Sequence, residues 1–333
     1  MATEATTRPE IAPRRPVESN PPRRPHSVRR TSTLDGGWPE SFGGQLTIEA
    51  RARDLLTRVD AHVVAECRAY LELGPERDVR AITVEPDRPG AQALIGARGG
   101  GGFRRALNDA LPGEQQAGSL AYFLLDDVAG VSLVAGFAFS QQPQTAEMAN
   151  HRASRRTFVA GICSGYRPGA PATVAREAGG TLTQNVAVGP DLDHDDDALA
   201  WHPLPERPEI GLRRRRRIDV WIDGDIHLDA MFRDATWTPE GTETIVHEYA
   251  VTASISADTG ELLEVTADPR VLPYGSCPAA ADEVGRMIGT SLGTFRASVL
   301  ETLPGVLGCT HLNDMLRSLA EVPKLVTLLR TGG

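Results

Sequence analysis

Aromatic residues make up 5% of this chain, and cysteine appears four times in 333 residues. Cys67, Cys163, Cys277 and Cys309 are irregularly spaced, which does not fit the dense disulfide framework of small secreted domains. A reducing, cytoplasmic setting is expected. No apolar run approaches the ~20 residues that span a bilayer, and the first thirty residues lack the apolar centre of a secretory signal. No membrane partner is expected. Familiar catalytic signatures are missing as well. There is no His-Glu-x-x-His helix, so the common motif of zinc peptidases is excluded. The glycine-rich GARGGGGF (Gly96 to Phe103) lacks the Lys-Ser/Thr of a phosphate-binding loop. DLDHDDDALAWH places Asp196 where a calcium loop needs glycine and His202 where it needs glutamate, so calcium is not expected.

What is there begins with charge. The formal net charge is −9, yet residues 1–30 carry seven arginines against three glutamates. That segment is also rich in proline and cannot build a packed core, so 1–30 is expected to be a disordered Arg/Pro-rich tail. No aromatic side chain interleaves with its arginines, so nucleic acid is not the expected partner. A small-molecule or protein partner is left open. The five arginines Arg213 to Arg217 could grip phosphate. Opposite nearby aspartates in an acidic body, they are expected to form a solvated charge cluster.

Two stretches repeat one another. IGARGGGGFRRALNDALPG (95–113) parallels IGTSLGTFRASVLETLPG (288–305), QLTIEARARD (45–54) parallels DIHLDAMFRD (225–234), and VVAEC (63–67) parallels IVHEY (245–249). Their order is kept. The chain therefore reads as an α+β protein of two degenerate repeats, each an antiparallel β-meander followed by helices. The first repeat is placed at 31–140, a connector at 141–212 and the second repeat at 213–330. In the first, FRRALNDAL is a short helix, and VSLVAGFAFS has the β-branched and aromatic character of a strand. In the second, strands flank Asp223-Gly224, TIVHEYAVTASIS turns at Asp258-Thr259-Gly260 into ELLEVTADP, and ADEVGRMI and FRASVLETL are helices. From Thr310 on, Leu312, Met315, Leu316, Leu319 and Ala320 make a core-facing helical stripe.

The internal comparison also sorts reactive residues. Gly308-Cys309-Thr310-His311-Leu312 corresponds to a stretch with Ser119 and Ala121 in place of the cysteine and histidine. Thr310 is expected to cap the helix. Cys309 would then lie at a helix N-terminus, where the thiolate is favoured, with His311 in the first turn. The pair could ligate one metal, or act as nucleophile and base, or be packed as a structural thiol and a capping imidazole. His247 on the TIVHEYAV strand has Ala65 as its counterpart and shares a face with Tyr249, while Glu248 points the other way and matches Glu66. Cys277 precedes Pro278 in a segment that the first repeat lacks. Together His247, Cys277, Cys309 and His311 make a candidate Cys2His2 set for zinc, although the spacing matches no standard finger. Cys309, His311 and His247 are the candidate catalytic residues. The alternative is a non-catalytic binding or accessory protein in which these side chains are structural.

The second repeat resembles the bacterial domain of unknown function 2889 (DUF2889) family. The resemblance rests on RRIDVWIDGDIHLDA, the strand IVHEYAVTASI with its hairpin, the Cys277-Pro278 segment and GCTHL before a Leu-rich helix. It covers about 215–320, and the first repeat looks like a diverged relative. It implies that His247, Cys277, Cys309 and His311 stand on the family's characteristic positions, and it implies no substrate.

Overall fold

The computed structural model describes residues 15–40, 43–140, 159–180, 182–192, 197–237 and 242–332. Long runs of β-branched and alternating residues build one mixed α+β unit around a nine-stranded antiparallel sheet. The first meander is β1 (Ser27–Gly37), β2 (Leu46–Thr57), β3 (Ala61–Leu73) and β4 (Val79–Glu85). The second is β6 (Gly211–Asp223), β7 (Asp225–Trp237), β8 (Glu243–Ile255) and β9 (Leu262–Val271), with the two-residue β5 (Ala187–Val188) coming between the meanders in sequence. Spatial order is β4-β3-β2-β1-β6-β7-β8, with β5 and β9 both pairing β8. The meanders thus meet edge to edge through β1 and β6, from Ser27 opposite Trp221 to Gly37 opposite Gly211. At the β6–β7 reversal Asp223 pairs with Asp225, and Gly224 takes φ +69°, a conformation that a Cβ would strain.

Each meander is followed by a 3-10 segment and helices. After β4 come Pro89–Leu94, α1 (Phe103–Ala110), α2 (Leu120–Val134) and α3 (Phe137–Ser140). After the short α4 (Pro171–Glu177) and the second meander come Cys277–Met287, α5 (Phe295–Thr302), α6 (Thr310–Ser318) and α7 (Val322–Thr331). One continuous hydrophobic core runs through both meanders, from Val28, Ile48 and Leu71 to Phe232, Tyr249, Leu316 and Leu325. A helical layer covers one face of the sheet, since α2 and α7 pack on β1 and β6.

Four expectations are corrected by the fold. VSLVAGFAFS is not a strand: it is the end of α2 and the start of α3. The Ser119 hydroxyl accepts from the Tyr122 N–H at 3.1 Å and starts α2. Every α2 residue except Gly130 and Leu133 is buried, so apolar and β-branched character reflects a helix covered all round. ADEVGRMI is 3-10 rather than α-helical. The tail boundary also moves. Residues 15–30 are structured: Val17 N–H donates to Glu248, Arg233 donates to the Val17 carbonyl, Arg23 pairs with Asp197, and 27–30 belong to β1. Residues 1–14 lie outside the described residues.

The most consequential correction concerns Arg213 to Arg217, all of which are buried. The strand period sends Arg214 and Arg216 under the helices and Arg213, Arg215 and Arg217 to the opposite face. On that opposite face Arg213 forks onto Asp35, Arg29 forks onto Asp219, Arg215 meets Glu243 and Asp191, Arg217 meets Asp219 and Asp229, and Arg233 meets Glu243 and Glu248. The connector covers this face, Asp191 and Asp197 supplying carboxylates to Arg207 and Arg23. Residues 193–196 of its acidic run lie outside the described residues. Beneath the helices, Arg30, Arg104, Arg214, Arg216, Arg296 and Arg317 interleave with Asp54, Asp126, Asp127, Asp234, Asp314 and Glu321. Burying that much charge is tolerable because each guanidinium has a carboxylate partner. Gly130 makes room for it: a Cβ there would lie 2.2 Å from Arg214 Nη1.

Candidate metal centre

The site is built on one cross-strand row. Arg214 on β6 lies opposite Asp234 on β7, and Asp234 lies opposite His247 on β8, where the ladder has a bulge between Asp234 and Ala235. Directly opposed residues share a face, so all three point into the helical layer. Arg214 donates to both Asp234 oxygens, at 2.8 and 3.0 Å. His247 Nδ1 lies 3.3 Å from Asp234 Oδ2 but makes no well-aligned hydrogen bond.

His311 closes the site from above. It occupies the first turn of α6 and stacks on His247, with ring centroids 3.6 Å apart and planes 21° from parallel. Phe232 backs His311 at 6.2 Å. One ligand atom each from Asp234, His247 and His311 falls within 4.8 Å of the other two. Among the described residues this is the group whose geometry could hold a metal ion. Two ligands 2.0–2.1 Å from a tetrahedral ion are ~3.4 Å apart, close to the 3.3 Å between His247 and Asp234.

Electrostatics suit the same use. Burial would raise the Asp234 pKa, but the Arg214 guanidinium and the His247 ring outweigh it and hold the carboxyl well below its usual range. Burial pushes His311 well below the ordinary imidazole range; His247 and Arg214 add to the effect, and Asp234 opposes it. A neutral imidazole keeps a lone pair for a cation. Asp234 and His247 are buried, while His311 is half-buried.

The cysteines stand to one side. Cys309 Sγ is 4.0 Å from His311 Nδ1, beyond the 2.6–3.2 Å reach of a nucleophile–base pair. Cys309, not Thr310, occupies the cap position of α6, and its side chain makes no capping bond. Burial pushes its thiol up to about 11, so the helix start alone does not yield a thiolate. Cys277 is buried, and its thiol is pushed well above the ordinary range by burial and by Cys309 and Cys163 nearby. It borders Gly165, where a Cβ would meet Cys277 Sγ at 2.6 Å and Cys163 Sγ at 3.7 Å. The fully buried Tyr249 ring faces these thiols. All four cysteines are free.

Of the residues marked by the sequence, the structure brings His247 and His311 together with Cys309 beside them, and leaves Cys277 outside the group. The sequence reading missed Asp234 and Arg214. Their signal was present in the repeated words ending in Arg-Asp, at Asp54 and Asp234. In the first meander Arg30 pairs with Asp54 at 2.7 Å, and Asp54 lies opposite Ala65 at a matching bulge. There the carboxylate has its arginine and lacks its imidazole.

Among the described residues no helix is long and apolar enough to cross a membrane. Comparison with the curated proteins and with the solved structures gives no match. Residues 212–324, which carry Arg214, Asp234, His247 and His311, match the model of the family described as protein of unknown function (DUF2889).

Proposed function

We propose that the C-terminal part of the chain holds a divalent transition-metal ion, zinc foremost, on His247, His311 and Asp234, and uses it catalytically. The observation that carries this reading is the stacked imidazole pair with a carboxylate, all within 4.8 Å. Two histidines and a carboxylate leave a coordination position for water, as catalytic zinc sites do. A zinc-bound water loses its proton near neutral pH, so hydrolysis is the reaction class that the set favours. Arg214 holds the Asp234 carboxylate in place, with Asp234 Oδ2 3.3 Å from His247 Nδ1. Cys309 and Cys277 belong to the neighbouring thiol cluster rather than to the first ring of ligands.

The inference extends to the chain as a whole. The two meanders derive from a degenerate duplication in which the arginine–aspartate pair is scaffold and the histidines are the later addition. Support comes from the shared element order and from the exchanged pairs Arg29–Asp219 and Arg213–Asp35 across β1 and β6.

A second reading has its own observation. Asp234 is fully buried, and Cys309 is near enough to His311 to become a fourth ligand after a rotamer change. Four protein ligands would make the centre structural. Cobalt substitution separates the two. An open site gives a visible spectrum that changes with added azide, and a closed tetrahedral site gives one that azide leaves alone. Failure of cobalt to bind at all would remove both readings.

A further inference from the structure

A cavity lies on the opposite face of the sheet from the candidate metal centre, under the connector. It has a volume of about 550 Å³, within the ~300–1,000 Å³ of small-molecule sites. Arg53, Leu199, Trp201, Pro203 and Leu204 are among its lining residues. Two of them are orphan donors. Trp201 is 6% exposed and Arg53 2% exposed, and neither Trp201 Nε1 nor Arg53 Nε has a hydrogen-bond partner. Arg53 Nη2 is spent on the Leu199 carbonyl at 2.7 Å, which fixes the guanidinium against this wall. A buried N–H without an acceptor is costly, and two at one cavity are a cost that a ligand would relieve.

The lining carries three arginines, Arg53, Arg207 and Arg213, against two aspartates, Asp191 and Asp197. His202, another lining residue, holds both ring nitrogens 2.9 Å from hydroxyls, Thr31 at Nδ1 and Thr33 at Nε2. Burial drives its pKa well down, and Arg53, Arg213, Arg51 and Arg215 drive it further. Asp191 and Asp197 line the cavity too, but both are engaged with arginines.

We propose that this cleft binds a small organic anion, its head group accepting from Arg53 Nε and Trp201 Nε1 and its apolar body lying against Leu199, Pro203 and Leu204. The site is independent of the metal centre, and a carboxylate and a phosphate monoester share the required chemistry.

Calorimetric titration of the full chain with hexanoate, and separately with hexyl phosphate, tests it. Saturable binding of at least one is expected, and the probe that binds identifies the head group. Trp201→Phe keeps the ring and removes the N–H, and should weaken binding about tenfold; Arg53→Met should do the same. Should Arg53→Met fail to fold, Trp201→Phe alone decides. His311→Ala should bind as the parent does. The proposal is overturned if neither probe saturates, if Trp201→Phe binds unchanged, or if His311→Ala rather than Trp201→Phe abolishes binding.

Discussion

The imidazoles of His247 and His311 lie face to face, with centroids 3.6 Å apart, although one belongs to a strand and the other to a helix 64 positions further on. Asp234 Oδ2 lies 3.3 Å from His247 Nδ1, at the edge of that pair. Replacing Asp234 with asparagine keeps the shape and removes the charge. Loss of a carboxylate that ligates or orients a histidine should lower metal affinity by at least about tenfold, measured by competition against a chromophoric chelator. Affinity unchanged in Asp234→Asn would take Asp234 out of the centre.

Arg214 should matter chiefly to stability. It is fully buried and bridges Asp234 and Asp127. Arg214→Met would leave Asp234 buried without its arginine, while Asp127 keeps Arg216, at a cost of about 3–5 kcal/mol. Urea denaturation should show that loss, and adding Asp234→Leu should recover part of it. A loss below about 1 kcal/mol would mean that the network is far more hydrated than its burial indicates.

His202 should give the fold a pH dependence. Its folded pKa is well below 6.5, so below that pH the unfolded chain binds the proton and the folded one does not. Its contribution is present in full above pH 6.5 and is lost as pH falls towards the folded value, at up to ~1.4 kcal/mol per pH unit. Comparing urea midpoints of the parent and His202→Gln between pH 7 and 5 isolates it. The parent should lose more stability than the variant on acidification; parallel curves would contradict the assignment.

Ser119 and Cys309 occupy equivalent cap positions, one bonded and one not. Ser119→Ala should cost about 1 kcal/mol. Cys309→Ser supplies an oxygen cap and should change stability by less than that, and it should keep its metal. Metal loss in Cys309→Ser would shift the account to the four-ligand, structural centre.

Much of the second meander was legible in the sequence, because its strands alternate and its turns carry Asp-Gly and Asp-Thr-Gly. The helix α2 was not, since full burial erased its amphipathic period and left residues with strand-like composition. The five arginines misled for a related reason: a run of like charge reads as solvated unless the opposing carboxylates are known to lie nearby, Asp35, Asp219 and Asp234 on the strands and Asp127 on α2. The site was half legible. Comparing the repeats singled out His247 and His311 because Ala65 and Ala121 replace them. The same comparison discarded Asp234, since Asp54 matches it. A residue matched in both meanders can still join a candidate site in one of them, and only the cross-strand register between Asp234 and His247 reveals it.

The central claim is tested most directly by elemental analysis of the purified full chain beside His247→Ala and His311→Ala. The account predicts about one equivalent of zinc or another divalent transition metal per parent chain after reconstitution and desalting, and substantial loss in both variants with the fold retained by circular dichroism. A parent chain that retains no metal after reconstitution, or variants that retain it in full, would contradict the account.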